Sequence, residues 1–422
     1  MRTAGLRTAE VIAVGSELLG STRLDTNSLF LSERLAALGI ELRIKSVVGD
    51  DRDDLASVFR QALSRADLVI LTGGLGPTDD DLTREVVADV LGLPLDEDPS
   101  ILDGIKRRFE RRGLTMPPVN RRQAMVPRGA TVLPNPNGTA PGLWLEHDGR
   151  VVVLLPGPPR EMQPMVEALC AGPLRERAGE ERLYRATLFV TARAESDVEQ
   201  HVQPVYSRWR DAAPPIVTTI LASPGQIELH LTTRDRDGAA AEGRLRDAVA
   251  QLTSILGEDV YSTDGRMLEE VLGDLLKARG LTIAAAESCT GGLFTSRLTD
   301  VPGSSAYVHS AVVAYDNAAK IALLDVPPAS IDEHGAVSEP VALAMAEGIR
   351  ARTGADVAVG ITGIAGPGGG TPSKPVGTVV VAVIVPDRPA YVRTFQLLGG
   401  RAQVKWNAAQ TALDRVRRLL DA

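Results

Sequence analysis

Residues 282–292 read TIAAAESCTGG. The run 281–286 is short and apolar but for Thr282, the pattern of a strand buried on both faces. It breaks at Glu287, presents Ser288, Cys289 and Thr290, and passes through Gly291-Gly292 into the helical pattern LFTSRLTD. A strand feeding a polar loop that opens a helix leaves backbone N–H groups pointing outward, where the helix dipole favours negative charge. A hydroxyl and a thiol, both candidate nucleophiles, stand side by side on that loop. The same residues would also serve as a plain helix cap, so the rest of the chain must decide between the two.

A chain of 422 residues exceeds what one core supports, and two or three domains are expected. The net charge of −8 argues against a broad nucleic-acid footprint, because phosphate contacts need a basic face. Cys170 and Cys289 lie far apart without CxxC spacing, which suits a reducing compartment and neither a disulfide framework nor a zinc knuckle. The N-terminal stretch MRTAGLRTAE has no apolar core of signal-peptide length and no run approaches a membrane span, so the expectation is a cytoplasmic protein without a membrane partner.

From the start, apolar strand patterns over 11–14, 41–48 and 67–71 alternate with amphipathic helical patterns over 28–38 and 53–64. That alternation predicts a parallel sheet covered by helices, with ligands beyond the carboxyl ends of its strands. Just beyond the third strand stands TGGLGPTDDDLT, residues 72–83. Its glycines, Gly73, Gly74 and Gly76, let main chain approach a ligand. A tight turn with acidic helix caps would account for one of Asp79, Asp80 and Asp81 but hardly for all three. A glycine loop beside clustered carboxylates suits a phosphorylated ligand that shares a divalent cation. The basic run KRRFERR at 106–112 reads as a solvated helix face. Residues 120–124, 135–142 and 154–162 read as turn-rich loops bordering short strands.

The pattern loosens into a linker near 171–181. A β-α-β-β-α succession follows: strands at 184–191, 216–221 and 226–233, helices at 195–208 and 238–256. It is similar to a ferredoxin-like or KH-like module. Without a GXXG loop or stacking aromatics it reads as a spacer or dimerisation element rather than an RNA binder. The boundaries expected are therefore 1–170, 171–261 and 262–422: two three-layer α/β/α domains joined by a small α+β module.

In the last domain Ser288 needs a base, since an isolated hydroxyl is a weak nucleophile. His309 and His334 are the two histidines there, and Lys320 competes with them if burial strips its proton. Residue types alone leave that choice open. A second glycine loop, TGIAGPGGG at 362–370, precedes two strands and a closing helix over 402–420.

ESCTGG, VPGSSAY, AYDNAAK, HGAVSEPVALAMAEGIR and GITGIAGPGGGTPSKPVGTV resemble the CinA C-terminal family of nicotinamide mononucleotide amidohydrolases. Upstream, TNSLFLSERLAALGI, VVGDDRDD, TGGLGPTDDDLT and LPGPPREM are similar to the CinA N-terminal region, which shares the molybdopterin-binding fold. The resemblance implies metal-free hydrolysis of the mononucleotide's carboxamide to the acid and ammonia. It makes Ser288 the nucleophile and Lys320 its base, with Tyr315 nearby and Arg401 binding or polarising the substrate. Backbone at Cys289, Thr290 and Gly291 would hold the oxyanion, and Gly363 and Gly366 would border the nucleotide.

For the N-terminal domain the resemblance implies an ADP-ribose pyrophosphatase using Mg, Mn or Co. Asp25, Asp80 and Asp81 would hold the metal. Asn27, Thr78 and the three loop glycines would touch substrate. Ser16, Gly400 and Lys405 depart from residues common at those places. A homodimer is implied too. The alternative is a nucleotide- or pterin-binding regulatory protein with no chemistry in its first domain.

Overall fold

A computed structural model describes residues 5–421. Two compact units emerge, one built on the chain up to Tyr184 together with Arg234–Ala241, the other on Arg185–Thr233 and the chain from Glu242 onward.

The first unit contains β1 (Thr8–Val14), β2 (Glu41–Val48), β3 (Leu68–Thr72), β4 (Leu95–Glu97), β5 (Met125–Pro127), β6 (Thr131–Leu133), β7 (Gly142–His147) and β8 (Arg150–Leu155). Its main sheet runs β2-β1-β3-β8-β7-β6, while β4 and β5 pair separately. Side chains of a strand alternate between faces, and here each face has its own core. Val11 and Ile70 join Leu31, Leu35 and Met165 on one face; Ile12 and Val69 join Leu55, Phe59 and Val87 on the other. Helices Asn27–Ala37 and Pro159–Ala171 cover the first face, Arg52–Arg65 and Thr83–Leu91 the second.

The all-parallel expectation needs correction. β2, β1, β3 and β8 are parallel, but β7 is antiparallel to β8 and β6 to β7. The cause is local: Asp148 and Gly149 both take positive φ, 48° and 76°, the two-residue turn whose twist matches a hairpin. The segment read as turn-rich at 154–162 ends β8 and opens the helix Pro159–Ala171, with proline tolerated in its first turn. The linker reading near 171–181 also gives way to a short helix, Pro173–Arg177.

Mostly within the second unit, β9 (Arg182–Thr191), β10 (Ile216–Ser223), β11 (Gln226–Asp235) and β12 (Val260–Ser262) form a sheet ordered β10-β11-β9-β12. With helices Glu195–Arg210 and Gly238–Leu256 this completes a ferredoxin-like β-α-β-β-α-β succession, one short strand longer than expected. The remaining strands are β13 (Ile283–Glu287), β14 (Val308–Val313), β15 (Val357–Gly363), β16 (Thr378–Ile384) and β17 (Tyr391–Gln396), ordered β14-β13-β15-β16-β17. β13 is parallel to both neighbours; β16 and β17 continue antiparallel. Ala284 and Ala286 face one core with Val341 and Met345, Ile283 and Ala285 the other with Phe294 and Leu413. Helices Glu339–Thr353 and Arg401–Asp421 thus lie on opposite faces, and the chain is mixed α/β throughout. Among the described residues no helix is long and apolar enough to cross a membrane.

Candidate active site

Ser288 stands one residue past the carboxyl end of β13, and its N–H donates to the Ile361 carbonyl of β15 at 2.9 Å. The sheet ladder therefore fixes the nucleophile candidate between two parallel strands, where α/β sheets gather ligands. Lys320 reaches it from the first turn of helix Asn317–Leu324, with Nζ 3.2 Å from Ser288 Oγ. Nζ also faces the carbonyls of Ala314, Tyr315 and Asp316 at 3.2, 3.4 and 3.5 Å. Lys320 is only 2% exposed and Ser288 6%. Burial lowers the Lys320 pKa from its ordinary value, against the pull of Asp316. A helical lysine, usually solvated, is here held dry beside a hydroxyl. His309 pairs instead with Ser310, and His334 with Glu333.

Around this pair, Arg401 at the start of the closing helix donates to the Tyr315 hydroxyl at 2.5 Å and the Gly366 carbonyl at 2.8 Å. The Lys405 side chain, one turn further, makes no hydrogen bond or ion pair among the described residues. A Cβ built on Gly291 would lie 3.5 Å from its Nζ. Leu293, Arg401, Ala402 and Lys405 line an open cavity of about 440 Å³. Cys289 turns into the core, and burial pushes its thiol up to about 12, so it is no thiolate near neutrality. Gly363 owes its identity to packing: a Cβ there would stand 3.0 Å from Cys289 Sγ and 2.8 Å from Val379.

The loop amides are more restricted than the sequence implies. Gly291 N–H is taken by the Ser288 carbonyl at 3.1 Å and Ser288 N–H by Ile361, so of the amides from Ser288 to Gly291 only those of Cys289 and Thr290 are not bonded to a backbone carbonyl. Nor is the start of helix Leu293–Thr299 free for a ligand. Glu287, fully buried, accepts from the N–H groups of Phe294 and Thr295 at 3.2 and 2.9 Å and from Thr295 Oγ1 at 2.7 Å. The protein supplies its own acceptor to those N–H groups. Sequence reading used Glu287 only as the strand's end; its place six residues before a helical run was the signal. Glu287→Ala leaves those donors dry and unpaired, and we expect a loss on the order of 3 kcal/mol in urea unfolding. Unchanged stability would refute this capping role.

In the first unit a cleft of about 930 Å³ lies beyond the carboxyl ends of β1, β3 and β8. Gly73, Gly74, Gly76, Asp25, Asn27, Asp80 and Asp81 line it, with Glu17, Asp50 and Glu161 besides. Asn27 donates to the Gly157 carbonyl at 2.7 Å and its buried Oδ1 has no partner. Asp25 caps the helix through Ser28 N–H. Ser16 pairs reciprocally with Asp50, at 2.8 and 3.0 Å.

Asp81 bends back onto its own loop. It accepts from Gly76 N–H at 2.7 Å and from the Thr78 N–H and hydroxyl at 2.9 and 2.5 Å. A Cβ on Gly76 would collide with that carboxylate at 2.3 Å, which is why glycine stands there. Buried Arg84 supports the loop from beneath, donating to the Leu75 and Gly76 carbonyls at 2.6 and 3.0 Å. Arg122 holds its side through the Thr78 carbonyl and Asp79. Neither arginine was singled out from the sequence. Among the described residues no three His, Cys, Asp or Glu side chains gather for a metal. Asp81→Ala should cost about 1 kcal/mol in thermal unfolding, while exposed Asp80→Ala should cost almost nothing. The reverse order would overturn the assignment of Asp81 to the loop.

A cleft at the strand ends of one α/β unit and a buried serine–lysine pair in another define a two-site α/β protein. Residues 10–176 match the probable molybdopterin binding domain and residues 265–420 the CinA C-terminal domain. A CinA-like protein of Koribacter versatilis is 46% identical over 416 residues, covering 98% of this chain and 99% of its own. A CinA-like protein of Solibacter usitatus is 43% identical over 410 residues, 97% of each. The crystal structure of the Thermoplasma acidophilum CinA protein covers 39% of this chain and 96% of its own, at 38% identity and a TM-score of 0.37. The chain belongs to the CinA family.

Proposed function

We propose that the second unit is an amidohydrolase acting on nicotinamide mononucleotide, and the observation that carries this reading is the buried contact between Ser288 Oγ and Lys320 Nζ. Neutral Lys320 accepts the Ser288 proton as Oγ bonds to the carboxamide carbon. The same proton passes to the amide nitrogen as the C–N bond breaks and ammonia leaves. Water then attacks the acyl-enzyme with Lys320 again as base, freeing the acid mononucleotide and restoring Ser288. Cys289 and Thr290 N–H groups face the oxyanion, and Arg401 and Lys405 face the phosphate. The resemblance to the amidohydrolases supports the substrate. Ammonia release from the mononucleotide in the presence of chelator tests it; a wild-type chain that releases none would end this reading.

The cleft of the first unit suits a nucleotide, and the reaction we assign to it is hydrolysis of an ADP-ribose-like diphosphate. Because Asp81 is committed to its loop, a cation there must bring most of its ligands as phosphate oxygens and water. That commitment also favours a second reading, a cleft that binds its nucleotide without cleaving it. Calorimetry with ADP-ribose, run beside a turnover assay over added Mg²⁺, Mn²⁺ or Co²⁺, separates the two.

A further inference from the structure

The ferredoxin-like module touches the closing helix at two places, both within the second unit. The tip of the β10–β11 hairpin meets its middle: Trp406 Nε1 donates to the Pro224 carbonyl at 2.8 Å. Gly225 (φ 78°) packs so closely that an added Cβ would stand 2.8 Å from Gln410 Cγ and 3.2 Å from Asn407 Oδ1. The hairpin tip is itself anchored, because Thr191 Oγ1 holds the Gly225 carbonyl at 3.0 Å and Tyr261 holds Gln226 at 2.7 Å. Nearer the helix end, Arg417 donates to the Glu258 carbonyl and Arg418 to Asp259, each at 2.7 Å. Asp259 is shared with Arg193 of the module.

At 3.6 residues per turn, Trp406, Gln410 and Arg417 share one face of the helix, while Arg401 and Lys405 project from another. A helix gripped on one face at two points cannot roll or slide without breaking those contacts. The grip continues inward. Arg297 stacks on the Trp406 ring at 4.4 Å and donates to Gln410 at 2.7 Å, tying the helix to the segment that follows the Ser288 loop.

We propose that the β10–β11 tip, through Trp406, is a positioning element of the amidase. It sets where Arg401 and Lys405 stand, and so how tightly the site holds the phosphate of its substrate. The module is on this view a brace for substrate recognition rather than a spacer, and the inference rests on the mononucleotide reading above. Trp406 touches no reacting atom in this scheme; it acts through Lys405 and Arg401.

The experiment compares wild type, Trp406→Phe and Gly225→Ala in the full chain on two substrates, nicotinamide mononucleotide and its nucleoside, which lacks the phosphate. Trp406→Phe keeps a ring over Arg297 but loses the N–H to Pro224; Gly225→Ala pushes on Gln410 from the other side. For both variants KM for the mononucleotide should rise about fivefold to tenfold, the scale of one lost orienting contact. Its kcat should stay within twofold, and KM for the nucleoside should not move. Circular dichroism melts confirm that each variant is folded. A mononucleotide KM unchanged in both folded variants, or one that rises equally for the nucleoside, overturns the inference while leaving the amidase standing. A wild type inactive on the mononucleotide overturns both together.

Discussion

Ser288→Ala will abolish ammonia release from nicotinamide mononucleotide, with kcat falling by at least about 10³-fold and the melting temperature almost unchanged. The size follows from what is removed. Without Oγ no acyl-enzyme forms, and only binding and oxyanion stabilisation remain. No neighbour can take over. Cys289 is adjacent in sequence, but it is turned into the core and burial pushes its thiol up to about 12. Stability should hold because one oxygen is lost from a side chain anchored mainly by its own backbone bond to Ile361. Discontinuous ammonia assays on matched, chelator-treated samples decide it. Retention of even a tenth of the wild-type rate would show that Ser288 is not the nucleophile.

Lys320→Met should behave oddly for a mutation at a buried site: it should lose about 10²–10⁴ in kcat and yet raise stability near neutral pH. The amine is 2% exposed and meets Ser288 Oγ and backbone carbonyls, with no carboxylate among its hydrogen-bond partners. Its charged form is therefore penalised in the folded chain, and an apolar chain of similar length removes the penalty. Burial lowers the folded pKa below the ordinary value of 10.5, so between those two values the unfolded chain holds one more proton than the folded chain. Stability rises with pH across that window, and the penalty is at its full size below the folded pKa. Lys320→Met should flatten this slope. The wild-type rate should likewise climb with pH along a limb whose midpoint lies below 10.5, since only neutral Lys320 accepts a proton. A pH–rate profile without that limb, or Lys320→Met chains that melt below wild type at pH 7, would remove Lys320 from the role of base.

Much of the architecture was legible because it is written in local periodicities. Strand-length apolar runs separated by amphipathic helical patterns specified two α/β sheets, and β2 and the helix Gly238–Leu256 fall at the residues expected. Both glycine loops were placed correctly after strands. What local pattern did not reveal was strand direction at the sheet edge. There a two-residue Asp148-Gly149 turn made a hairpin out of what alternation alone would have run parallel.

The site divides in the same way. Residue types and spacing named Ser288 as a nucleophile candidate, but not its base. Three side chains could have served, and the choice depends on which of them the fold buries. Lys320 lies 32 residues away, and only the fold that sets its helix beside the Ser288 loop brings Nζ to Oγ and strips it of water. The acids show the converse. In the sequence Asp81 reads as a free ligand and Glu287 only as the end of a strand. The tertiary structure spends both on backbone N–H groups of their own loops, because unpaired donors cost more than a solvated carboxylate gains. By itself, then, the sequence determined the family, the succession of strands and helices and the chemical inventory of each loop, all properties of neighbouring residues. Which lysine is dry, which carboxylates are already spent and which face of the closing helix is gripped were decided only by tertiary structure. Burial is settled by partners far along the chain, and even a carboxylate a few residues from its donors meets them only once the loop between has folded.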